Sequence, residues 1–388
     1  MTQLETLIQT LCPNGVKFVK LGEVAEIQYG YPFNASLFTD EKNEKPIIRI
    51  RDIVPAKTST YYLGDVQGLE NYIIHKGDIL LGMDGYFNMD KWDSEDAYLN
   101  QRVCKISAKN SEIVLDGFLF HYLKPQFKKI EQSTAGGSVI HLSAKIISNL
   151  QIPLPPLAVQ SEIVRILDKF TLYKSELAAE LAARLRQYEY YRDQLLTFDD
   201  TVKRVKLGEV GFYPTGRIAI NEVESYVGVE NLLKDRNGVE FLEKTPKMDV
   251  AIQFLPNDIL IGNIRPYLKK IWMADRKGGT NGDVVTVRIK PEFIDKVNPK
   301  YLYHQLASDM FFNYDNINAK GAKMPRGDKN AILQYSIPLP PLSEQEHIVS
   351  ILDRFDKLCH DIREGLPAEI DLRQKQYEHY RDKLLTFG

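Results

Sequence analysis

Residues 152–170 read IPLPPLAVQSEIVRILDKF, and residues 337–355 read IPLPPLSEQEHIVSILDRF; thirteen of nineteen positions agree at an offset of 185. Upstream, VKFVKLGEV at 16–24 returns as VKRVKLGEV at 202–210. Downstream, QYEYYRDQLLTF at 187–198 returns as QYEHYRDKLLTF at 376–387. Fainter echoes lie between, GDILLG (77–82) against NDILIG (257–262) and FLFHYL (118–123) against YLYHQL (301–306). Order preserved at a near-constant offset marks an internal repeat. The 388-residue chain is two copies of a unit of about 185 residues.

Within each unit the pattern changes character after IPLPPL. Positions 163, 167, 170, 174, 177, 181, 184, 188, 191 and 195 carry eight apolar residues out of ten, at the alternating spacing of a helix that pairs with another helix. Residues 160–197 contain no Gly or Pro, so the spacing predicts one helix of roughly 57 Å. The second copy contains Gly365-Leu366-Pro367, which should stop one helix near Glu364 and start another at Pro367. Two seams on one chain most simply pack as an antiparallel pair. SELAAELAARLR (175–186) repeats every four residues; it is a good helix, and each four-residue block would lengthen it by about 6 Å.

The stretches between the repeated ends have diverged. RIRDIV, GDILLG, VCKIS, SYVGVENL, NDILIG and VVTVRI are short β-rich runs bounded by turn residues, whereas DGFLFHYLKPQF and NPKYLYHQLASDMFF each read as a single short helix. The expected fold class is α+β: two globular mixed α/β domains separated by long helices that form an antiparallel coiled coil, with an internal pseudo-twofold repeat. The expected boundaries are 1–150, 151–201, 202–336 and 337–388.

Hydrophobic residues at 44% and charged residues at 26% are ordinary for a soluble chain. Three scattered cysteines favour neither a disulfide framework nor a zinc site, and fit a reducing, cytoplasmic setting. No apolar run approaches the roughly 20 residues of a membrane span. The net charge of −2 is a sum over unlike parts. Residues 16–150 hold 16 basic and 17 acidic side chains, and residues 202–336 hold 21 and 16. Basic loops with Gly and an aromatic residue suit phosphate contact and base-edge readout, and they also suit a plain solvated surface.

Candidate chemistry is thin. No GxGxxG, Walker A, HExxH or GxSxG occurs. Asn298-Pro-Lys-Tyr301 resembles a methyltransferase tetrapeptide, but Lys300 replaces a proline and no Gly-rich loop precedes it, so it reads as a helix start. Asp258, Asp275 and Lys277 fit a permissive nuclease spacing that the first copy lacks. No cofactor or metal is expected.

The doubled IPLPPL-x-x-Q-x-x-IV-x-ILD-x-F followed by QYE-x-YRD-x-LLTF resembles the specificity subunit of type I restriction–modification enzymes (HsdS), with LAVQSEIVRILDKF and the SELAAEL repeat most like the type IC branch. The resemblance covers the whole chain. It implies two target recognition domains alternating with conserved helical regions and a subunit without catalysis of its own. The implied partners are double-stranded DNA with a bipartite asymmetric site, two methylation subunits (HsdM) and a restriction subunit (HsdR). The methyl donor S-adenosylmethionine would bind a partner. No membrane association is expected.

Candidate DNA-binding residues are Tyr29, Tyr31, Arg51, Asp84, Tyr86, Ser138 and His141 in the first domain. In the second they are Arg265, Tyr267, Lys269, Lys323 and Arg326. Tyr190, Arg192, Tyr380 and Arg381, taken as exposed flanks of the seam, are candidates for partner binding; packing between helices is the other role open to the tyrosines. Two further readings stay open: a self-contained DNA-modifying enzyme, which would act or bind S-adenosylmethionine alone, and a coiled-coil scaffold without salt-sensitive DNA binding.

Overall fold

The computed structural model describes residues 3–133, 141–241, 249–361 and 364–387. The chain divides into two compact units, Met1–Ser175 with Leu372–Gly388, and Glu176–Asp371.

The first unit opens with helix α1 (Gln3–Leu11), whose Leu4 is buried. Strand β1 (Phe18–Lys20) then leads to β2 (Ala25–Tyr29) through a one-turn helix, LGEV. Strands β3 (Ile79–Gly82), β4 (Met89–Lys91) and β5 (Val103–Ala108) complete an antiparallel sheet ordered β2-β5-β3-β4. Helix α2 (Asp116–Ser133) buries Phe118, Leu119, Phe120, Leu123 and Phe127, and β6 (Gln151–Pro153) returns to pair with β1. That pairing sets Val19 opposite Ile152. The repeated segments VKFVKLGEV and IPLPPL therefore pair through Phe18 and Val19 with Pro153 and Ile152 and close the block between them, the first two residues of IPLPPL lying in strand β6.

Helix α3 spans Leu157–Leu196, one unbroken helix of 40 residues, as the lack of Gly and Pro predicts. Its first part belongs to the first unit and its remainder to the second.

The second unit repeats the plan. Strands β7 (Arg204–Lys206), β8 (Gly211–Phe212), β9 (Ile259–Gly262), β10 (Ile271–Met273), β11 (Val284–Ile289) and β12 (Ser336–Pro338) give a sheet ordered β8-β11-β9-β10 and a β7–β12 pair with Val205 opposite Ile337. The stretch NPKYLYHQLASDMFF, expected as one helix, is two: α4 (Pro299–Leu306) and α5 (Asp309–Asn318). Ser308 ends the continuity because its hydroxyl caps the Phe311 amide at 3.2 Å, starting a new helix there. Helix α6 (Leu342–His360) stops a few residues before the expected Glu364, and α7 (Leu366–Leu384) follows the Gly365 break.

Within each unit the long helices run antiparallel. In the first, Phe170 stacks on Tyr380 at 5.2 Å, and Lys174 reaches Gln374 at 2.8 Å. Tyr377 and Leu385 complete a core otherwise built from residues 4–167. In the second, Tyr188 and Tyr191 stack on Phe355, while Leu196 packs with Ile348, Val349 and Leu352.

One glutamine fixes each helix to the α/β block that precedes it. Gln160, fully buried, accepts from the Leu115 amide at 2.9 Å and donates to the Ile113 and Pro155 carbonyls at 3.0 and 2.7 Å. Gln345 makes the same three bonds, to the Asn298 amide and the Lys296 and Pro340 carbonyls. An amide that satisfies three buried backbone groups is costly to replace, because each orphan loses its desolvation compensation. The repeated glutamine of PPLxxQ thus has a mechanical role.

Candidate nucleic-acid interface

At one end of the first sheet three segments meet. The Met83 amide donates to the Arg102 carbonyl at 3.0 Å, the Leu142 amide donates to the Met83 carbonyl at 2.9 Å, and Asp84 bridges His141. Side chains follow the backbone: Asp84 Oδ1 bonds His141 Nδ1, and Asp84 Oδ2 lies 3.3 Å from Arg102 Nε. Tyr86, two residues on, is exposed. Two of the other candidates lie alongside. Tyr31 hydrogen-bonds through its backbone to Leu99 and Gln101, beside Arg102. This approach needs Gly30, since a Cβ there would sit 2.1 Å from the Asn100 oxygen. The turn carrying Arg51 packs through Ile50 and Ile53 against Gly82. Tyr29 does not join this surface: it lies within β2, its hydroxyl buried and its ring against the core. Ser138 lies outside the described residues.

The second unit assembles the corresponding loops. The Arg265 amide donates to the Pro325 carbonyl at 2.7 Å, and Lys320 and Arg326 exchange backbone bonds, leaving Lys323 and Met324 exposed between them. Arg265 and Lys269 take left-handed backbone at either end of the turn that presents Tyr267 to solvent. Arg326 pairs with Asp283 at 3.1 Å. Lys269 is different, for its amine lies 2.8 Å from Asp309. Arg236 bonds the same carboxylate, and Arg192 lies 3.9 Å from its second oxygen. Burial and the neighbouring Arg192 bring the Arg236 guanidinium down to about 10. Burial, with Arg236 and Arg192, likewise lowers Lys269. Lys269 is thus tied into an internal charge cluster.

On the helices, Tyr190 and Tyr380 are exposed. Arg192, expected on the exposed flank, is only 2% exposed. It lies over the Tyr188 ring, and its nearest carboxylate oxygen is that of Asp193 at 3.5 Å. Arg381 repeats that arrangement over Tyr377 with Asp382 and is largely covered. Both arginines therefore support the helix surface instead of presenting charge from it.

The nuclease-like trio does not assemble. Asp258 is buried in a two-pronged pair with Arg288 at 2.8 and 2.7 Å, and Asp275 pairs with Arg276. Asn298 caps α4 by accepting from the Lys300 and Tyr301 amides, as a helix start should. No group of three or more His, Cys, Asp or Glu that could hold a metal occurs among the described residues. Nor, among them, is any helix long and apolar enough to cross a membrane. Sequence reasoning missed Arg102, Arg236, Asp283 and Asp309. No motif marks them; Arg102 and Asp283 lie just before strands β5 and β11, Arg236 on a short 3-10 turn and Asp309 at the start of α5, and only the fold brings them to their partners.

Comparison with known proteins places this architecture. The chain is 29% identical over 412 residues to the type I restriction enzyme EcoR124I/EcoR124II specificity subunit of Escherichia coli, covering 100% of this chain and 98% of that one. It is 28% identical to a putative type I restriction enzyme specificity subunit of Haemophilus influenzae, over 89% and 95% of the two chains. Among solved structures, the S subunit of a type I restriction–modification system from M. genitalium shares the fold with a TM-score of 0.56 at 13% identity, over 96% and 97% of the two chains. A chain from a structure describing complex assembly and conformational transition of the type I R-M system gives 0.57 at 17% identity, over 96% and 98%. The family profile "Type I restriction modification DNA specificity domain" matches twice, at residues 13–187 and 200–372, and the chain belongs to that family.

Proposed function

We propose that this chain is the DNA specificity subunit of a type I restriction–modification assembly. Residues 1–150 and 202–336 act as two target recognition domains, each reading one half of a bipartite, asymmetric double-stranded site. The helical regions 151–201 and 337–388 set the spacer and dock two methylation subunits (HsdM), and the restriction subunit (HsdR) joins the full complex. The chain contributes no catalysis and holds no cofactor, while S-adenosylmethionine binds the methylation subunits. The complex works in the cytoplasm.

One observation carries the reading: each recognition block presents the same junction of loops, built on the same sheet order and closed by the same pair of repeated motifs, but with different charged residues at its tip. A common scaffold with two unlike tips suits two unlike half-sites. Half-sites about one helical turn apart, roughly 34 Å, require a rigid element of similar reach, and a helix of 40 residues has it. Phosphate contacts from the basic second domain would hold register while the loop tips read base edges.

The test is to express the chain with its methylation subunits in a host lacking adenine methylation and to map N6-methyladenine across the genome. A two-part motif with a fixed gap is expected. A single continuous motif, or sequence-independent methylation, would overturn the assignment.

A further inference from the structure

The three-way junction occurs in both recognition domains, and hydrogen bonds align the two copies residue by residue. In the first domain the Met83 amide donates to Arg102 and the Leu142 amide to Met83. In the second the Asn263 amide donates to the Asp283 carbonyl at 2.9 Å and the Gly327 amide to the Asn263 carbonyl at 3.1 Å. The bridge Asp84–His141 becomes Ile264–Arg326. Positions 84, 102 and 141 therefore correspond to 264, 283 and 326. Backbone is retained while charge is permuted: Asp, Arg, His in one domain and Ile, Asp, Arg in the other.

We infer that Asp84, Arg102 and His141 form the base-reading centre of the first domain. Arg102 reads a guanine edge, and Asp84 is the positioning residue that holds it. In the second domain the corresponding positions pair differently, Arg326 meeting Asp283 through a terminal guanidinium nitrogen, so the assignment is made for the first domain alone. This inference rests on the function proposed above.

The geometry separates the two roles. The Asp84 side chain is 20% exposed, whereas Arg102 is 65% and His141 59% exposed, so the acid sits beneath and the two bases stand outward. Among the described residues Arg102 makes its one ion pair through Nε. Its terminal nitrogens are left as a planar fork, the geometry that matches guanine O6 and N7 in the major groove. His141 Nδ1 is bonded to Asp84, which leaves the Nε2 edge of the exposed ring facing outward for a polar contact with a base. An exposed ion pair adds little to folding stability. Restricting an arginine before it meets its target instead lowers the ordering cost of binding. Exposed Tyr86 beside the centre supplies flat contact area next to the Arg102 fork.

The experiment expresses the full chain with its methylation subunits and compares the adenine-methylation motif of the wild type, Arg102→Lys and Asp84→Asn. A two-part wild-type motif upholds the proposed function, and only then do the variants judge the centre. Absence of any sequence-defined wild-type motif refutes the function itself. Arg102→Lys keeps the charge and loses the fork. Discrimination at one position of one half-site should fall roughly 5- to 150-fold, with the other half-site unchanged. Asp84→Asn should relax the same position. Arg102 is exposed and its variants should melt as the wild type does. An unchanged motif in both variants overturns the inference. So does a uniform loss of DNA binding across sequences with a salt slope reduced by about one, which is the behaviour of a phosphate contact.

Discussion

His121 Nε2 lies 2.8 Å from Asp168 Oδ1. The imidazole sits on α2, fully buried, and its other nitrogen is 3.0 Å from the Tyr377 hydroxyl. A neutral ring satisfies both bonds at once, donating from Nε2 to the carboxylate and accepting at Nδ1 from the phenol. Three segments of the first unit, from the recognition block, the central helix and the C-terminal helix, are thereby tied through one ring. The second unit places His304 and Asp353 at corresponding positions, with Nε2 to Oδ1 at 3.5 Å.

Acidification should loosen this tie. Burial holds His121 below its ordinary value, outweighing the attraction of Asp168, and Lys91 and Lys124 push the same way. The hydrogen bond from His121 similarly lowers Asp168, against its own desolvation. A histidine depressed in the folded state contributes stability that is complete above its unfolded value of about 6.5 and is lost as pH falls below it. Melting of the first unit should therefore fall between pH 7.5 and 5.5, and His121→Gln, which can make both bonds without titrating, should flatten that slope. Tyr377→Phe should cost about 1 kcal/mol at neutral pH in a denaturant titration. A melting temperature that ignores pH in the wild type would contradict the argument.

A second pH effect runs the opposite way. Asp315, on α5, is 1% exposed, neither carboxylate oxygen has a hydrogen-bond partner among the described residues, and desolvation pushes it up to about 6. An acid raised in the folded state withdraws stability as pH rises through its folded value, here on the order of 2–3 kcal/mol by neutral pH. Asp315→Asn should raise the melting temperature of the second unit at pH 7.5 and give about half that gain at pH 5, because the unfolded carboxyl still ionises there; the gain disappears only below the unfolded value of about 3.9. Calorimetry at the two pH values checks the sign.

How far the sequence reaches is visible in particular residues. The offset of 185 is enough to divide the chain, because identical segments must do identical work, and the absence of Gly and Pro over 160–197 gives α3 its unbroken length. Loop chemistry is partly legible too: Asp84 with His141, and Arg265 with Arg326, do come together. Arg102 stays hidden because its partner is 18 residues away across a strand pairing, a distance that periodicity does not encode. The burial of Arg192 is hidden for a related reason. Helical spacing places it off the seam, and the groups that cover it come from the second recognition domain, through Arg236 and Asp309.

Neighbouring residues on α3 should therefore respond differently to substitution. Tyr190 is 61% exposed and Arg192 2% exposed. Tyr190→Ser should leave the melting temperature within about 1 °C, corresponding to a few tenths of a kcal/mol, and weaken co-purification with the methylation subunits. Arg192→Ala should cost about 1–3 kcal/mol through lost packing against Tyr188. Equal melting losses in the two variants would show that Tyr190 is a packing residue and not a docking one.

The four-residue repeat in α3 offers the most direct test of the helix as a spacer. Residues 175–186 read SELAAELAARLR, and Glu180 and Arg184 pair across one turn at 3.4 Å. Deleting Ala178–Leu181 removes one repeat and brings Ser175-Glu176-Leu177 onto Ala182-Ala183-Arg184, so Leu185 takes the place Leu181 held and the apolar line stays in phase. The helix shortens by about 6 Å, close to two base-pair steps at 3.4 Å per step. The gap between methylated half-sites should therefore narrow, while the bases within each half remain the same, since Asp84, Arg102, Arg265 and Arg326 are untouched. Sequencing the methylated sites of the deletion variant decides it: altered half-sites with the original gap would mean that α3 does not set the spacing.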